Sequence, residues 1–579
     1  MKKAAHTDAM QRRSFALRMR FASCCLLFGG LLLVVRAVHL QVFNTEFLTN
    51  QADIRHLRVA KISAHRGVIT DRNGEALAVS TPVDSIWVNP RQFSNAAARI
   101  PEVASALNLN GEELTRRVSQ NTGREFMYLV RHLPPTDAAA IARLDVPGVG
   151  VEREYRRYYP AGEVVGHLIG FTNIDDAGQE GLELAYDTWL SGEAGAKRVI
   201  KDRLGQVIED VERIKQPSPG RELAASIDLR IQYLAYRELK AAIQRASAAS
   251  GSAVVLDIAT GEVLAMVNQP SYNPNDRSQF AASKYRNRAI TDIFEPGSSL
   301  KPLVVAAAIE SGRYKADSTI DTTPGYVEVG SKVIEDNENL GRISLTTLLA
   351  RSSNVGATKL AMSLQPESLY SVLSGLGLGR LSASGFPGES AGLLSHYSNW
   401  RPISQATLAY GYGLSVTPLQ LAQAYAIIAA GGLHRPVSLL RIDQTPIARR
   451  IISEDTAGAV LKMLEAVVSS DEGTGKRAAV PGYRVAGKTG TVRKFAPGGY
   501  ADNRYTALFA GIAPVSDPRL AIVVVVDDPR GGEYYGGHVA APVFSTIAQG
   551  ALRILAIPPD NFPRPGSLGS RLASAGDAR

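Results

Sequence analysis

The stretch EPGSSLKP, Glu295 to Pro302, sets a serine three residues before a lysine, directly after a Pro-Gly pair. A helix beginning near Ser298 would put the serine hydroxyl and the Lys301 amine on one face, a turn apart, so that a nucleophile and a base touch. Lys301 is the only lysine of the chain with a serine three positions earlier. A tetrapeptide can equally be an ordinary helix start, with the serine as cap and the lysine as a solvated charge. The rest of the chain decides between the two. RSSNVG, Arg351 to Gly356, supplies S-x-N at Ser352 and Asn354, and GKTGT, Gly487 to Thr491, supplies the chain's single K-T-G. S-x-N alone is weak, since Ser119 with Asn121 and Ser271 with Asn273 also match. S-x-x-K, S-x-N and K-T-G in that order within one domain form a constellation that chance rarely produces.

Working outward, the constellation is bracketed by β-rich sequence. GSAVVLDIATGEVLAMV, Gly251 to Val267, reads as two strands around an Ala-Thr-Gly-Glu turn, and YTALFAGIAPVSDPRLAIVVVVDD, Tyr505 to Asp528, reads as a second hairpin. The residues between them are rich in helical periodicity, as in TPLQLAQAYAIIAAGG. An antiparallel sheet built from both ends of the domain, with a helical region inserted between, is the simplest α+β packing. KQPSPGREL, Lys215 to Leu223, has linker composition, and Ser226 is the expected N-cap of a long helix through LRIQYLAYRELKAAIQRA. One domain therefore spans 44–219 and a second spans 220–557. In the first, DRNG within RGVITDRNGEALAVS (Arg66 to Ser80) reads as a hairpin turn. Residues 558–579, rich in Pro, Gly, Ser and Ala, read as a disordered tail.

At 579 residues the chain holds several units, and 45% hydrophobic with 21% charged residues describes a globular protein. Of the net charge of +9, residues 1–20 carry +5, from six Lys and Arg against Asp8. What remains is weak, and no basic run with interleaved aromatics supports nucleic-acid binding. Phe21 to Val35 is free of charge, and apolar residues continue to Phe43. Residues 21–43 read as an uncleaved membrane anchor, with a cleaved signal peptide as rival, disfavoured because no A-x-A-like site follows. The arm 1–20 then stays cytoplasmic and the bulk of the chain lies outside the membrane. Both cysteines, Cys24 and Cys25, fall inside the anchor, which leaves no disulfide or catalytic thiol for the exported part. Nine scattered histidines show no metal-ligand spacing, so neither metal nor cofactor is expected.

With these motifs the chain resembles the penicillin-binding proteins, acyl-serine transferases related to the serine β-lactamases. RGVITDRNGEALA, YYPAGEVVGHLIGFTN (Tyr158 to Asn173), GLELAYDTWLSG (Gly181 to Gly192) and RYTALFAGIAP (Arg504 to Pro514) resemble class B members, most closely the division-specific penicillin-binding protein 3 type. The nucleophile motif SSLKP departs from close relatives, which often have threonine and valine at its two middle positions. The resemblance implies a transpeptidase domain of β-lactamase-like fold on a 44–219 pedestal of the penicillin-binding protein dimerisation type, in the inner membrane with its bulk periplasmic. It implies Ser298 as nucleophile, Lys301 as base, Ser352 as proton relay, Asn354 as ligand of the substrate amide and Lys488 as the cation that helps keep Lys301 neutral. The N–H groups of Ser298 and Thr491 would form the oxyanion hole. Thr489, Gly490 and Thr491 would hold the substrate, and Tyr410, Tyr412, Tyr534 and Tyr535 would line the cleft. Partners would be peptidoglycan stem pentapeptides, β-lactams, a membrane-embedded lipid II glycosyltransferase and other division proteins.

Three functions stay open at this stage: a D,D-transpeptidase of septal peptidoglycan, a hydrolase of the same superfamily (D,D-carboxypeptidase or β-lactamase), and a non-enzymatic division scaffold or β-lactam sensor. The E-x-x-L-N deacylation signature is absent, which disfavours the hydrolase, and the intact motifs disfavour the scaffold.

Overall fold

A computed structural model describes residues 2–43, 57–62, 64–201, 207–276, 278, 281–496 and 498–561. The tail beyond residue 561 lies outside the described residues, as does most of the segment just after the expected anchor. The first helix, α1 (Lys2–Val38), supplies most of the one stretch among the described residues long and apolar enough to cross a membrane, Leu17–Gln41, which runs on into the turn His39–Phe43. Its apolar side chains are exposed, as they must be if lipid covers them.

Contacts divide the chain into two units. One unit comprises 1–64, 82–155 and 193–218; the other comprises 65–81, 156–192 and 219–579. The first has a core of Ile86, Val88, Phe93, Val103, Leu114, Val118, Leu129 and Ile141. It also carries an antiparallel three-stranded sheet of Leu57–Ile62, Gly195–Lys201 and Val207–Lys215.

The segments 65–81 and 156–192 join the rest of the second unit through bonds such as Leu229 N–H to Asp71 Oδ2 and Tyr159 N–H to Asn275 Oδ1, each at 3.0 Å, and a buried ion network ties the two segments to each other. Arg66 Nε donates to Glu183 Oε2 at 2.7 Å and Arg157 Nε to Glu183 Oε1 at 2.6 Å, while Arg66 Nη1 reaches Asp187 Oδ1 at 2.7 Å. Arg66, Arg157 and Glu183 are buried, so removing one would strand a charge in a dry interior, at a cost of roughly 3–5 kcal/mol. The DRNG hairpin forms as expected. Asp71 Oδ1 accepts from the backbone N–H of Asn73 and Glu75, and Gly74 takes the φ of +90° that closes the turn.

The centre of this unit is a five-stranded antiparallel sheet: β1 (Ser250–Asp257), β2 (Val263–Gln269), β3 (Ala486–Ala496), β4 (Gly499–Ala513) and β5 (Leu520–Asp527), in the order β2-β1-β5-β4-β3. Both ends of the domain thus build one sheet, and β3 is an edge strand. Helices α2 (Leu229–Arg245) and α7 (Ala541–Ile554) cover one face through Ile231, Leu239, Phe544 and Ile547. The other face packs on the inserted helical region, including α3 (Lys301–Glu310), α4 (Leu345–Arg351), α5 (Asn354–Met362) and α6 (Pro418–Ala429). The fully apolar strands, Val523 to Val526 for example, need such burial on both faces.

Two local expectations change. Helix α2 is capped by Asp228, whose side chain accepts from Arg230 N–H, whereas Ser226 is buried and donates to the carbonyl of Val263. At the C-terminus, residues 558–561 are held rather than loose: Asp560 accepts from Arg484 N–H at 2.7 Å and from Ser516 Oγ at 2.7 Å, and Asn561 N–H donates to Gly482.

Candidate active site

Ser298 lies in a 3-10 turn, Gly297–Leu300, that runs straight into α3 at Lys301. Pro302 suits this start, because a first-turn position has no intrahelical use for an N–H. Gly297 has a conformational reason to be glycine: φ is +55°, and an added Cβ would come within 2.5 Å of Val492 Cγ2. Ser299 is turned away, its hydroxyl donating to the Pro296 carbonyl at 2.7 Å. Ser298 is therefore the half-exposed hydroxyl of the pair.

Lys301 is fully buried and points to the S-x-N motif. Its Nζ lies 2.5 Å from the Ser352 carbonyl, 3.1 Å from Ser352 Oγ and 2.7 Å from Asn354 Oδ1. The direct contact with Ser298 anticipated from the spacing is not among these three bonds. Two of the three partners can only accept, whereas the Ser352 hydroxyl can donate as well. A neutral amine, with two N–H and one lone pair, satisfies that set completely. Burial pushes the Lys301 amine well below its ordinary value, and the nearby Lys488 pushes it further in the same direction, against a smaller opposing pull from Asp336.

Two helices meet at the S-x-N motif. Ser352 terminates α4 in the left-handed conformation, φ +61° and ψ +40°, while Ser353 caps α5 by accepting from Gly356 N–H. A serine at positive φ is strained by about 1–2 kcal/mol, and here the strain turns the chain so that Ser352 and Asn354 both face Lys301. Asp336 holds this junction. Its carboxylate accepts from Ser353 Oγ, from Asn354 N–H at 2.5 Å and from Val355 N–H at 3.2 Å, at the positive end of α5. Sequence reading missed Asp336, since an isolated aspartate 16 residues before Ser352 carries no motif; only the tertiary fold supplies the signal.

The K-T-G motif lies on edge strand β3, with Lys488 opposite Ala510, Gly490 opposite Leu508 and Thr491 opposite Ala507. Lys488 is completely buried, and burial lowers its amine to about 7. Its bonds to Thr489, at 3.4 and 3.5 Å, are too long to offset that cost. Thr489 Oγ1 donates to Thr474 Oγ1 at 3.2 Å. At Gly490 a Cβ would meet Leu508 at 2.7 Å and the Pro296 carbonyl at 3.0 Å, so a larger residue would push the strand off the turn that carries Ser298.

The two tyrosine stretches reach the same place by backbone. Gly297 N–H donates to Gly411 O at 3.1 Å, bringing the loop of Tyr410 and Tyr412 to the Ser298 turn. Gly536 N–H donates to Thr491 Oγ1 at 2.9 Å, bringing the loop of Tyr534 and Tyr535 to the K-T-G strand. Tyr534 stacks on Tyr505 with ring centroids 4.2 Å apart and on Tyr535 at 4.5 Å. Among the described residues no cluster of His, Cys, Asp or Glu suits a metal ion.

Comparison with known proteins matches residues 251–549 to the penicillin-binding protein transpeptidase domain and residues 61–225 to the penicillin-binding protein dimerisation domain. The chain is 43% identical to the peptidoglycan D,D-transpeptidase FtsI of Escherichia coli K12 over 97% of its own length and 96% of that protein's. It is 42% identical to the probable peptidoglycan D,D-transpeptidase PbpC of Pseudomonas aeruginosa, over 95% and 97% respectively. The crystal structure of penicillin-binding protein 3 of Mycobacterium tuberculosis complexed with aztreonam superposes with a TM-score of 0.68 at 29% identity, covering 86% of this chain and 98% of that one. A serine one turn before a buried amine, two matched family domains and near full-length relatives lead to one conclusion: the chain belongs to the penicillin-binding protein transpeptidase family.

Proposed function

We propose that the protein is a peptidoglycan D,D-transpeptidase of septal cell-wall synthesis, a target of β-lactams, working through an acyl-serine intermediate. The observation that carries this reading is the fully buried Lys301, hydrogen-bonded to both ends of the S-x-N motif one turn after Ser298. A serine hydroxyl needs an adjacent base at neutral pH, and a desolvated amine is one. Ser298 Oγ attacks the carbonyl of the penultimate D-Ala of a stem pentapeptide as its proton passes to Lys301 Nζ. The negative charge that develops on the carbonyl oxygen is held by the N–H groups of Ser298 and Thr491, each such donor being worth roughly 3–4 kcal/mol. The tetrahedral centre collapses, the terminal D-Ala leaves, and Ser352 hands its amine a proton drawn from Lys301. A second amine, on a neighbouring stem peptide, then attacks the ester, its proton returns through Lys301, and Ser298 is released.

Asn354 would orient the substrate's amide, and Thr489 and Thr491 its terminal carboxylate near Lys488. Gly490 lets the substrate lie along the free edge of β3 as an added strand. The 44–219 region serves as a pedestal and docking surface for division proteins and a lipid II glycosyltransferase, with the short basic arm cytoplasmic and the chain beyond the anchor periplasmic. The test that separates transferase from hydrolase is product analysis with a donor thioester and a D-amino acid acceptor. Aminolysis product should exceed free acid, and a penicilloyl adduct should persist for many minutes. Rapid adduct loss as penicilloic acid with no aminolysis product would favour the hydrolase.

A further inference from the structure

Within the inserted helical region, four rings gather at the surface, outside the site described above. Tyr370, from the helix Pro366–Gly375, meets His396, Tyr397 and Trp400 with ring centroids 5.1, 5.7 and 6.2 Å away, and His396 lies over Tyr397 at 4.3 Å. His396 is exposed and the other three rings are half-buried. The segment that carries them is polar at its edges. Ser395, Ser398 and Asn399 are exposed, the Trp400 indole N–H donates to the Ser395 carbonyl at 3.0 Å, and His396 Nδ1 lies 2.8 Å from Ser398 Oγ. Such rings present an apolar face beside a polar rim.

The surface carries little charge. No Asp, Glu, Lys or Arg occurs from Ala391 to Trp400, and Glu389, the carboxylate just before, is engaged by Ser382 N–H and the Ser384 hydroxyl. Leu381 and Leu393, 60% and 57% exposed, extend the apolar area, and Gln420 ties their segments together by donating to the carbonyls of Arg380 and Ala391, each at 2.7 Å. The backbone makes this surface continuous with the segment leading into Ser298. Leu393 exchanges hydrogen bonds with Ser415 at 2.7 and 2.9 Å, and Val416 exchanges them with Phe294 at 2.9 and 3.0 Å. Two such strand spacings separate Leu393 from Phe294 by about 10 Å. His396 follows Leu393 by three residues, and Ser298 follows Phe294 by four.

An occupant of this surface must offer flat apolar faces to the rings, hydrogen-bonding groups to their rim, and no charge that needs a counter-ion. A pyranose offers all three, with C–H groups on its faces and hydroxyl and acetamido groups around its edge. We infer that the cluster of Tyr370, His396, Tyr397 and Trp400 is a saccharide subsite, which holds the N-acetylated glycan strand bearing the stem peptide by stacking sugar rings on its aromatic faces. The identity of that strand rests on the transpeptidase reading. Its dimensions suit the subsite: four peptide residues between sugar and scissile carbonyl span at most about 14 Å, so a stem peptide with its carbonyl at Ser298 leaves its sugar outside the cleft, within reach of the Leu393 to Trp400 segment. The subsite supplies binding energy remote from the reacting bond and takes no part in proton transfer.

The experiment uses the full-length protein in detergent, as wild type and as His396→Ala, Tyr397→Ala and Tyr397→Phe. A peptide-free tetrasaccharide of alternating N-acetylglucosamine and N-acetylmuramic acid, titrated by calorimetry, reads the subsite without turnover. Two donors then carry the same pentapeptide, one free and one attached to its disaccharide. Wild-type aminolysis of the free pentapeptide tests the transpeptidase reading itself, and its failure with tetrasaccharide binding intact would overturn that reading while supporting the subsite. Wild type and Tyr397→Phe, which keeps the ring, should bind the tetrasaccharide. His396→Ala and Tyr397→Ala should bind it about fivefold more weakly, and should lower kcat/KM about fivefold for the disaccharide donor relative to the free one, the loss of one stacked ring. His396 is exposed, so its alanine variant reports on the subsite even if Tyr397→Ala unfolds. No tetrasaccharide binding by wild type, or equal losses for both donors in His396→Ala with penicillin acylation falling in step, would overturn the assignment and leave the cluster as packing or as a face for a protein partner.

Discussion

Two buried amines, Lys301 and Lys488, carry the proposed chemistry at the residue scale. Lys301→Arg keeps a charge but cannot supply a neutral amine, so second-order acylation by penicillin should fall by about 10³ or more while the folded state persists; stopped-flow acylation with circular dichroism as control checks this. Acylation near the wild-type rate would assign Lys301 a structural role. The second amine tunes the first. Because the charge of Lys488 depresses Lys301, Lys488→Met should move the acid limb of the acylation profile to higher pH, whatever it does to the maximum rate. Lys488 also leaves a stability signature. Its folded value of about 7 lies below the ordinary lysine value of 10.5, so between those limits the unfolded chain binds more protons than the folded one. Its contribution to stability therefore rises as pH increases from about 7 to 10.5 and is constant below 7. Denaturant midpoints of wild type minus Lys488→Met, measured across that range, should show this slope, and a flat difference would contradict it.

At the scale of elements, the order of S-x-x-K, S-x-N and K-T-G, flanked by two hairpins, made the antiparallel sheet and its helical insertion legible before any coordinates. The strands β1, β2, β4 and β5 read clearly because β-branched runs bounded by turns have one simple solution. What was illegible depends on distant partners. Ser226 and Asp228 are both good caps by type, and only the burial of Ser226 against the Val263 carbonyl decides between them. The contacts of Arg66 with Glu183, 117 residues apart, could not be inferred from a linker composition at 215–223. Asp336 is the functional example. Asp336→Asn leaves an acceptor for the N-terminus of α5 but removes the charge, and should lower stability by about 1 kcal/mol while slowing acylation about tenfold or more, through misplacement of Ser352 and Asn354. Thermal unfolding and acylation measured together would expose a purely structural role as loss of stability at unchanged rate.

At the scale of the molecule, three segments far apart in sequence meet around Lys301 in the larger unit, and an apolar helix at the N-terminus fits a single-pass anchor. A chain beginning at residue 57 keeps every described strand of both units, so it should be soluble and bind penicillin with the rate of the full-length protein; a folded, soluble product that fails to acylate would show that the anchor shapes the cleft. The most direct measurement of the whole account is peptide mapping of the full-length protein after reaction with penicillin. The account predicts a stoichiometric adduct on Ser298, absent in Ser298→Ala, with Ser299 and Ser352 unmodified. An adduct on Ser299 or Ser352, or labelling that survives in Ser298→Ala, would contradict it.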